Sequence, residues 1–390
     1  MKTPARRENY QGVQTGTTSH TMKVQPRRTF LRNTATAAVA APFISTAVTR
    51  ALAQAADKKI GFALCGLGSL STGQLAPALQ KTKNCRLTGI ITGTPAKADA
   101  WKAKYNIPDK NVYSYDTMDK LADNPDIDVV YVVTPNALHA EHGIKAAKAG
   151  KHVLCEKPME VSVEKCQQLI DACKAANRML AIGYRCRFEP HHLECIRLAR
   201  EKTFGDLRIV EASFDISLRP DPTQWRLKKD LAGGGCLMDV GIYALQASRF
   251  ITGEEPTIVS GMTTVTNPAR FNQVEETVTW HQKFPSGVIA YCAASYNSNV
   301  VGKYRAVCSR GWFELDPGFL YDGNKGRRSD GKEIQFPPMD QFAAEMDDFA
   351  ACIMNRQATI VPGEEGLRDV KIMMAIYESI RTGQAQTVPA

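Results

Sequence analysis

The chain has 390 residues, 49 Lys and Arg against 40 Asp and Glu for a formal net charge of +9, and 11 cysteines. Residues 1–53 hold eight of the basic groups and one of the acidic ones, so the 337 residues that follow carry 41 basic against 39 acidic side chains. That near-neutral balance excludes a dedicated nucleic-acid surface, and the length exceeds what one small core organises, so two domains are expected.

In chain order the first feature is Pro26-Arg27-Arg28-Thr29-Phe30-Leu31-Arg32. This is the twin-arginine pattern of a signal that exports folded proteins, often with a cofactor already loaded. The Ala-rich run over 33–49 contains Pro42 and many small residues, too short and too weakly apolar for a membrane anchor. Ala51-Leu52-Ala53 then offers a small-x-small cleavage pattern. The expectation is a cleaved signal over 1–53, delivery to the periplasm, and the twin-arginine machinery as a partner. Met22-Lys23 would begin a signal of usual length, leaving 1–21 as an upstream start-site artefact. None of the 11 cysteines forms a Cys-x-x-Cys pair, which argues against a zinc or redox motif. An odd number of thiols suits a protein that folds in reducing cytoplasm with its thiols buried. Cys166 and Cys173, seven apart, read as core residues on a helix face.

From Lys59 apolar strands alternate with amphipathic helices at βαβ spacing. Strands are expected at Ile60 to Cys65, Arg86 to Thr92, Asp128 to Thr134, His152 to Cys155 and Met179 to Tyr184, with helices near 73–82, 95–105, 137–149 and 162–177. This predicts a doubly wound parallel sheet, a Rossmann domain over 58–184. After residue 185 the segments Leu207 to Ile216, Thr257 to Val265, Glu276 to Phe284 and Val288 to Tyr296 follow one another without helices between them. A second α+β domain over 185–390 with a large, mostly antiparallel sheet is expected, closed by helices at Gln341 to Met354 and Gly366 to Arg381.

Gly66-Leu67-Gly68-Ser69-Leu70-Ser71 lies at the first βα turn. Its first glycine permits the tight turn, its second lets backbone approach a pyrophosphate, and Ser71 replaces the third. An acid at the end of the second strand would select NAD. Here stand Thr92-Gly93-Thr94-Pro95-Ala96-Lys97, whose hydroxyls and ammonium fit the 2′-phosphate of NADP; the alternative for Lys97 is a solvated surface residue. Thr134-Pro135-Asn136 with His139, and Cys155-Glu156-Lys157-Pro158, end the next two strands where such sheets bind ligands, so Asn136, Glu156 and Lys157 are expected over the cofactor. His139 and His142 are three apart, but with no third ligand no metal is expected, and capping or a helix face is favoured. In Gly233-Gly234-Gly235-Cys236-Leu237-Met238-Asp239-Val240-Gly241-Ile242-Tyr243, a helix after the glycines would set Asp239 and Tyr243 one turn apart on one face. An ammonium such as Lys157 would lower the proton affinity of the phenol and make it an acid/base; read locally, the pair could equally be structural.

These clusters, with Ile182-Gly183-Tyr184-Arg185-Cys186, Gln224-Trp225-Arg226-Leu227 and Pro362-Gly363-Glu364-Glu365-Gly366, resemble the Gfo/Idh/MocA oxidoreductase family over nearly all of 58–388, closest to its glucose–fructose and aldose–aldose oxidoreductase branch. The resemblance implies that Lys157 polarises the substrate, Asp239 orients a sugar, and Tyr243 takes the place of a catalytic histidine. It implies NADP contacts at Thr92, Lys97 and Tyr115, and further cofactor contacts at Tyr184, Arg185, Trp225 and Arg226. The second domain would be an oligomer interface. Only Gln54 to Lys59 stand where glucose–fructose oxidoreductase has a long arm, so a homodimer is expected rather than an arm-locked tetramer. Because the periplasm maintains no NADP pool, the expected reaction is two half-reactions at one site: an aldose is oxidised to its lactone, and a second sugar is reduced to an alditol with retained NADP(H). The alternatives are an NAD-dependent glycoside hydrolase, a simple sugar dehydrogenase, or a sugar-binding protein on an inactive scaffold.

Overall fold

The computed structural model describes residues 59–219, 221 and 223–389. The export signal and cleavage pattern lie outside the described residues.

The first sheet is built from β1 (Ile60–Cys65), β2 (Cys85–Ile91), β3 (Val112–Tyr113), β4 (Val129–Val132), β5 (His152–Glu156) and β6 (Leu180–Gly183). They run parallel in the order β3-β2-β1-β4-β5-β6. Every residue of β1 and β4 is buried, as a strand covered by helices on both faces requires. The covering helices are Pro95–Tyr105, His139–Lys148 and Val163–Ala175. The last begins where the Ser162 hydroxyl accepts the Lys165 amide. After β1 the chain winds as a wider π turn over Ser71–Leu75 before the helix Ala76–Leu79. The order of this sheet reverses between β1 and β4, which opens a crevice at their carboxyl ends.

The second sheet comprises β7 (Leu207–Ser217), β8 (Ile258–Thr264), β9 (Thr277–Lys283), β10 (Ile289–Ser295), β11 (Asn297–Cys308), β12 (Gly311–Leu315), β13 (Gly326–Arg328), β14 (Glu333–Ile334) and β15 (Gln386–Thr387). Its order is β14-β13-β12-β11-β7-β10-β9-β8-β15, antiparallel except for the pairing of β7 with β10. In β9 exposure alternates residue by residue, with Val278, Trp280 and Gln282 inward. The helix Ile242–Thr252 lies on that inner face, with the Gln282 amide donating to Ser248 Oγ at 2.7 Å.

The sequence reading omitted β3, the helix Pro190–Arg200 and strands β11 to β15. It also left open how the last helices pack. Gln341–Asn355 and Gly363–Thr382 return to the first sheet: Ile182 N–H donates to Val361 O, and a side chain at Gly363 or Gly366 would collide with Leu180 or Met159. Arg249, 2% exposed, fastens the second of these helices to the layer beneath by pairing with Asp369 at 2.5 Å and Glu365 at 3.0 Å. Asp369 also accepts from Tyr184 and Gln246. Such a buried carboxylate is tolerated because cation and hydrogen bonds replace its water. All eleven cysteines are buried and unpaired. Among the described residues no helix is long and apolar enough to cross a membrane.

Candidate active site

The site lies where the carboxyl ends of β1, β4 and β5 face the start of the helix Ile242–Thr252. Gly66 sits at φ +100°, and a Cβ there would come within 2.8 Å of Val133 O. Only glycine makes this turn. Ser71 does from inside what the missing third glycine would have left to packing: its buried hydroxyl donates to Gly66 O at 2.6 Å. Leu67 is buried, while Gly68 and Ser69 are exposed and Leu70 is half-buried; a Cβ at Gly68 would meet nothing. The loop is thus braced from below and open above, a cradle that fits a dinucleotide pyrophosphate.

Beyond β2, Thr92 Oγ1 accepts from the Thr94 amide, and Gly93, Thr94 and Lys97 are exposed around the first turn of Pro95–Tyr105. Tyr115 closes this patch, its ring standing 3.2 Å from where a Cβ at Gly93 would lie and stacked on His142 at 4.6 Å. No Asp or Glu stands between Thr92 and Lys97. After β4, His139 joins two loops, with Nε2 at 2.8 Å from Thr134 O and Nδ1 at 2.9 Å from Pro158 O. Both carbonyls would suit an imidazolium, yet burial pushes this ring's pKa down to about 4 and nearby Lys157 opposes a second charge. His142 binds Thr134 Oγ1, so each histidine braces a loop, and no cluster of metal-binding side chains occurs among the described residues. Pro135 precedes Asn136, whose amide donates to Ala232 O at 3.0 Å and so ties this loop to the second cluster.

That cluster starts at Gly235, whose missing side chain lets Glu275 O approach to 2.1 Å of a would-be Cβ. The Glu275 carboxylate accepts from the Gly235 and Leu237 amides and from Tyr377, anchoring the turn. Leu237–Gly241 then forms a π turn instead of the expected α-helix. Its carbonyl and carboxylate at Asp239 both receive Lys157 Nζ, at 2.7 and 3.2 Å. Arg226 Nε and Tyr296 OH donate to the other carboxylate oxygen at 2.8 and 3.1 Å. Burial alone would raise the Asp239 pKa, but Arg226 and Lys157 together hold it well below the usual carboxylate range. Lys157 Nζ also stands 4.9 Å from the centre of the Tyr243 ring. Lys157, Asp239 and Tyr243, far apart in sequence, form one half-buried cluster.

The structure corrects the reading of the phenol. Burial pushes its proton affinity up, and the cation that opposes this most is Arg185, whose Nε donates to Tyr243 OH at 3.2 Å. Lys157 faces the ring, not the oxygen. Arg185 is buried, and its remaining N–H groups bind Gln341 Oε1, Leu320 O and Phe319 O. Its side chain thus serves Tyr243 rather than open space. Tyr184 likewise commits its hydroxyl to Asp369 at 2.5 Å, Arg226 stacks on Trp225 while holding Asp239, and Glu156 turns its carboxyl inward to Tyr131. The sequence reading missed Tyr296, Glu275, Gln341, Tyr131 and Glu345. Only Glu345 left a local signal, as one acid among Phe342, Met346 and Phe349 on a buried helix face.

A phosphate cradle beside a Lys, Asp and Tyr cluster defines a dinucleotide-dependent oxidoreductase. Comparisons with known proteins agree. The oxidoreductase family with an NAD-binding Rossmann fold matches residues 60–184, and the GFO/IDH/MocA C-terminal domain matches 192–314. The chain is 41% identical to the aldose–aldose oxidoreductase of Caulobacter crescentus, solved with glycerol, at a TM-score of 0.81 covering 85% of this chain and 100% of that one. It is 30% identical over 335 residues to a D-xylose 1-dehydrogenase (NADP(+)) of Haloarcula marismortui, covering 84% of this chain and 93% of that protein. It is 27% identical over 309 residues to the 1,5-anhydro-D-fructose reductase of Ensifer adhaerens, covering 76% and 90%. This chain belongs to the Gfo/Idh/MocA oxidoreductase family.

Proposed function

We propose that this chain is an exported sugar oxidoreductase that oxidises an aldose to its lactone and reduces a second sugar to an alditol at one site, with NADP retained between the two steps. The observation that carries the proposal is the convergence of Lys157, Asp239 and Tyr243 beside the open glycine cradle. Similarity to an aldose–aldose oxidoreductase and to an NADP-linked xylose dehydrogenase supports the substrate class and the cofactor.

The glycine loop and the Thr92 to Lys97 patch would hold the cofactor, which when bound supplies the hydride acceptor and donor. Lys157, fixed by Asp239, presents an ammonium that polarises the reacting sugar oxygen. Asp239, kept ionised by two cations, accepts hydrogen bonds from sugar hydroxyls. Tyr243 moves the proton at that oxygen. In the free site its phenol keeps its proton, which suits the reduction half, where it acts as an acid. As a base in the oxidation half it depends on Arg185 to stabilise the phenolate against burial. Export through the Arg27-Arg28 signal and dimerisation through the outer face of the second sheet, where Ile209, Ile289 and Tyr291 are exposed on paired strands, belong to the same proposal.

Three measurements test it. Tyr243→Phe keeps the ring and removes the proton carrier, so NADP binding survives while both half-reactions slow by about 10² to 10⁴ in single-turnover experiments; a variant within a few-fold of the parent means another residue moves the proton. Lys97→Ala removes one charge-assisted contact worth about 1.5–3 kcal/mol, weakening NADP roughly ten- to a hundredfold and leaving NAD nearly unchanged; equal weakening of both contradicts the phosphate site. With Lys at positions 27 and 28, cell fractionation should find the loaded enzyme in the cytoplasm, and undiminished delivery to the periplasm contradicts export by this route.

A further inference from the structure

Glu345 lies on the inner face of the helix Gln341–Asn355 and is 1% exposed. Its Oε1 is 2.9 Å from the Tyr131 hydroxyl, and that hydroxyl is 2.8 Å from Glu156 Oε1. Tyr131 is fully buried at the middle of β4, and Gly183 on β6 leaves the room: a Cβ there would press on both the phenol oxygen and Glu156 Oε1, at 3.0 and 3.1 Å. A phenol has one proton and can donate it once. With both carboxyls ionised, one of these two short contacts would set lone pair against lone pair in a place no water reaches. A second proton must therefore sit in this trio.

The surroundings say where. Glu156 Oε2 accepts the Lys157 backbone N–H at 3.1 Å; burial raises the proton affinity of Glu156 on balance, but the positive charges of Lys157 and Arg185 oppose it, as do the hydrogen bonds from Tyr131 and the Lys157 amide. Glu345 faces Tyr131, Glu156, Arg185 and Cys186; its Oε2 is buried without a hydrogen-bond partner, and burial and the charge of Glu156 raise its proton affinity far more than Tyr131 and Arg185 lower it. We infer that Glu345 is held as a neutral carboxylic acid that donates to Tyr131, which donates to an ionised Glu156, and that Glu345 is thereby a positioning residue for the loop carrying Lys157. The three bonds Glu345 to Tyr131, Tyr131 to Glu156 and Lys157 N–H to Glu156 point at one anion and polarise one another. They leave the trio itself with a single negative charge, facing Lys157 and Arg185. Ionising Glu345 would add a second and break the first bond of the chain.

The protonation state does not rest on the sugar reading, whereas its effect on turnover does, so the test has two arms. In infrared difference spectra of the full chain in D₂O at neutral pH, the parent should show a protonated-carboxyl C=O band that Glu345→Gln lacks. Tyr131→Phe, which removes the acceptor of that proton, should shift the band and carries the test should the glutamine variant fold poorly. A parent-minus-variant spectrum without such a band overturns the inference whatever the enzyme does with sugars. For the positioning role, a group whose proton affinity is raised by folding loses its favourable state as pH rises. As pH is raised above neutrality the parent's kcat should therefore fall several-fold more than that of Glu345→Gln, which cannot ionise. Superimposable kcat profiles overturn the positioning role.

Discussion

The bond from Lys157 Nζ to Asp239 joins the two halves of the site. Lys157 follows the fifth strand of a parallel sheet, and Asp239 stands in a π turn held by Glu275 and Tyr296, which flank strands of the second sheet. A lysine left half-buried without acceptors would find water elsewhere, and an aspartate at that depth without cations would take up a proton. Lys157 helps keep Asp239 ionised, and each holds the other in place. Arg226 on Asp239 and Arg185 on Tyr243 extend the pattern: each acidic group of the cluster has a cation beside it.

Around this centre the charges form a graded set. Asp239 is ionised because two cations outweigh its burial. Glu156 faces Lys157 and Arg185, with a tyrosine hydroxyl and a backbone amide as hydrogen-bond donors. Glu345, one step further from them, keeps its proton. Tyr243 is neutral in the free site because burial outweighs a single arginine. Similar residue types thus take different roles according to how many cations face them, a division that under the proposed function would let one pocket release a proton in one half-reaction and return it in the next.

Much of this was legible in the sequence where the signal is local. Strand Ile60–Cys65 and helix Pro95–Tyr105 fall on the residues read for them, the first being six apolar residues between Lys59 and Gly66, the second starting at a proline suited to a helix start. The sheet classes were legible too, from alternation with helices in one half and its absence in the other. Strand β11 escaped because Asn297-Ser298-Asn299, Gly302, Lys303 and Arg305 look like a loop until a neighbouring strand pairs with them. The helix Pro190–Arg200 escaped because His191 and His192 read as polar, although Glu189 and Gly318 O supply the partners that bury them. In the site, the glycine loop and the Thr92 patch follow from chain order alone. The roles of Lys157, Asp239 and Tyr243 came from family resemblance. The partner of Tyr243 could not have been read locally: Arg185 is aimed by Phe319, Leu320 and Gln341, which lie 134 to 156 residues further on.

The central claim is that one site runs both half-reactions on a retained cofactor. Purified protein incubated with an aldose and a second sugar, without added nicotinamide, followed by analysis of both products, tests it most directly. The account requires lactone and alditol in equal amounts, formed over many turnovers. Turnover that starts only when free NADP is supplied, or release of an unoxidised sugar from a glycoside in place of those two products, would contradict it.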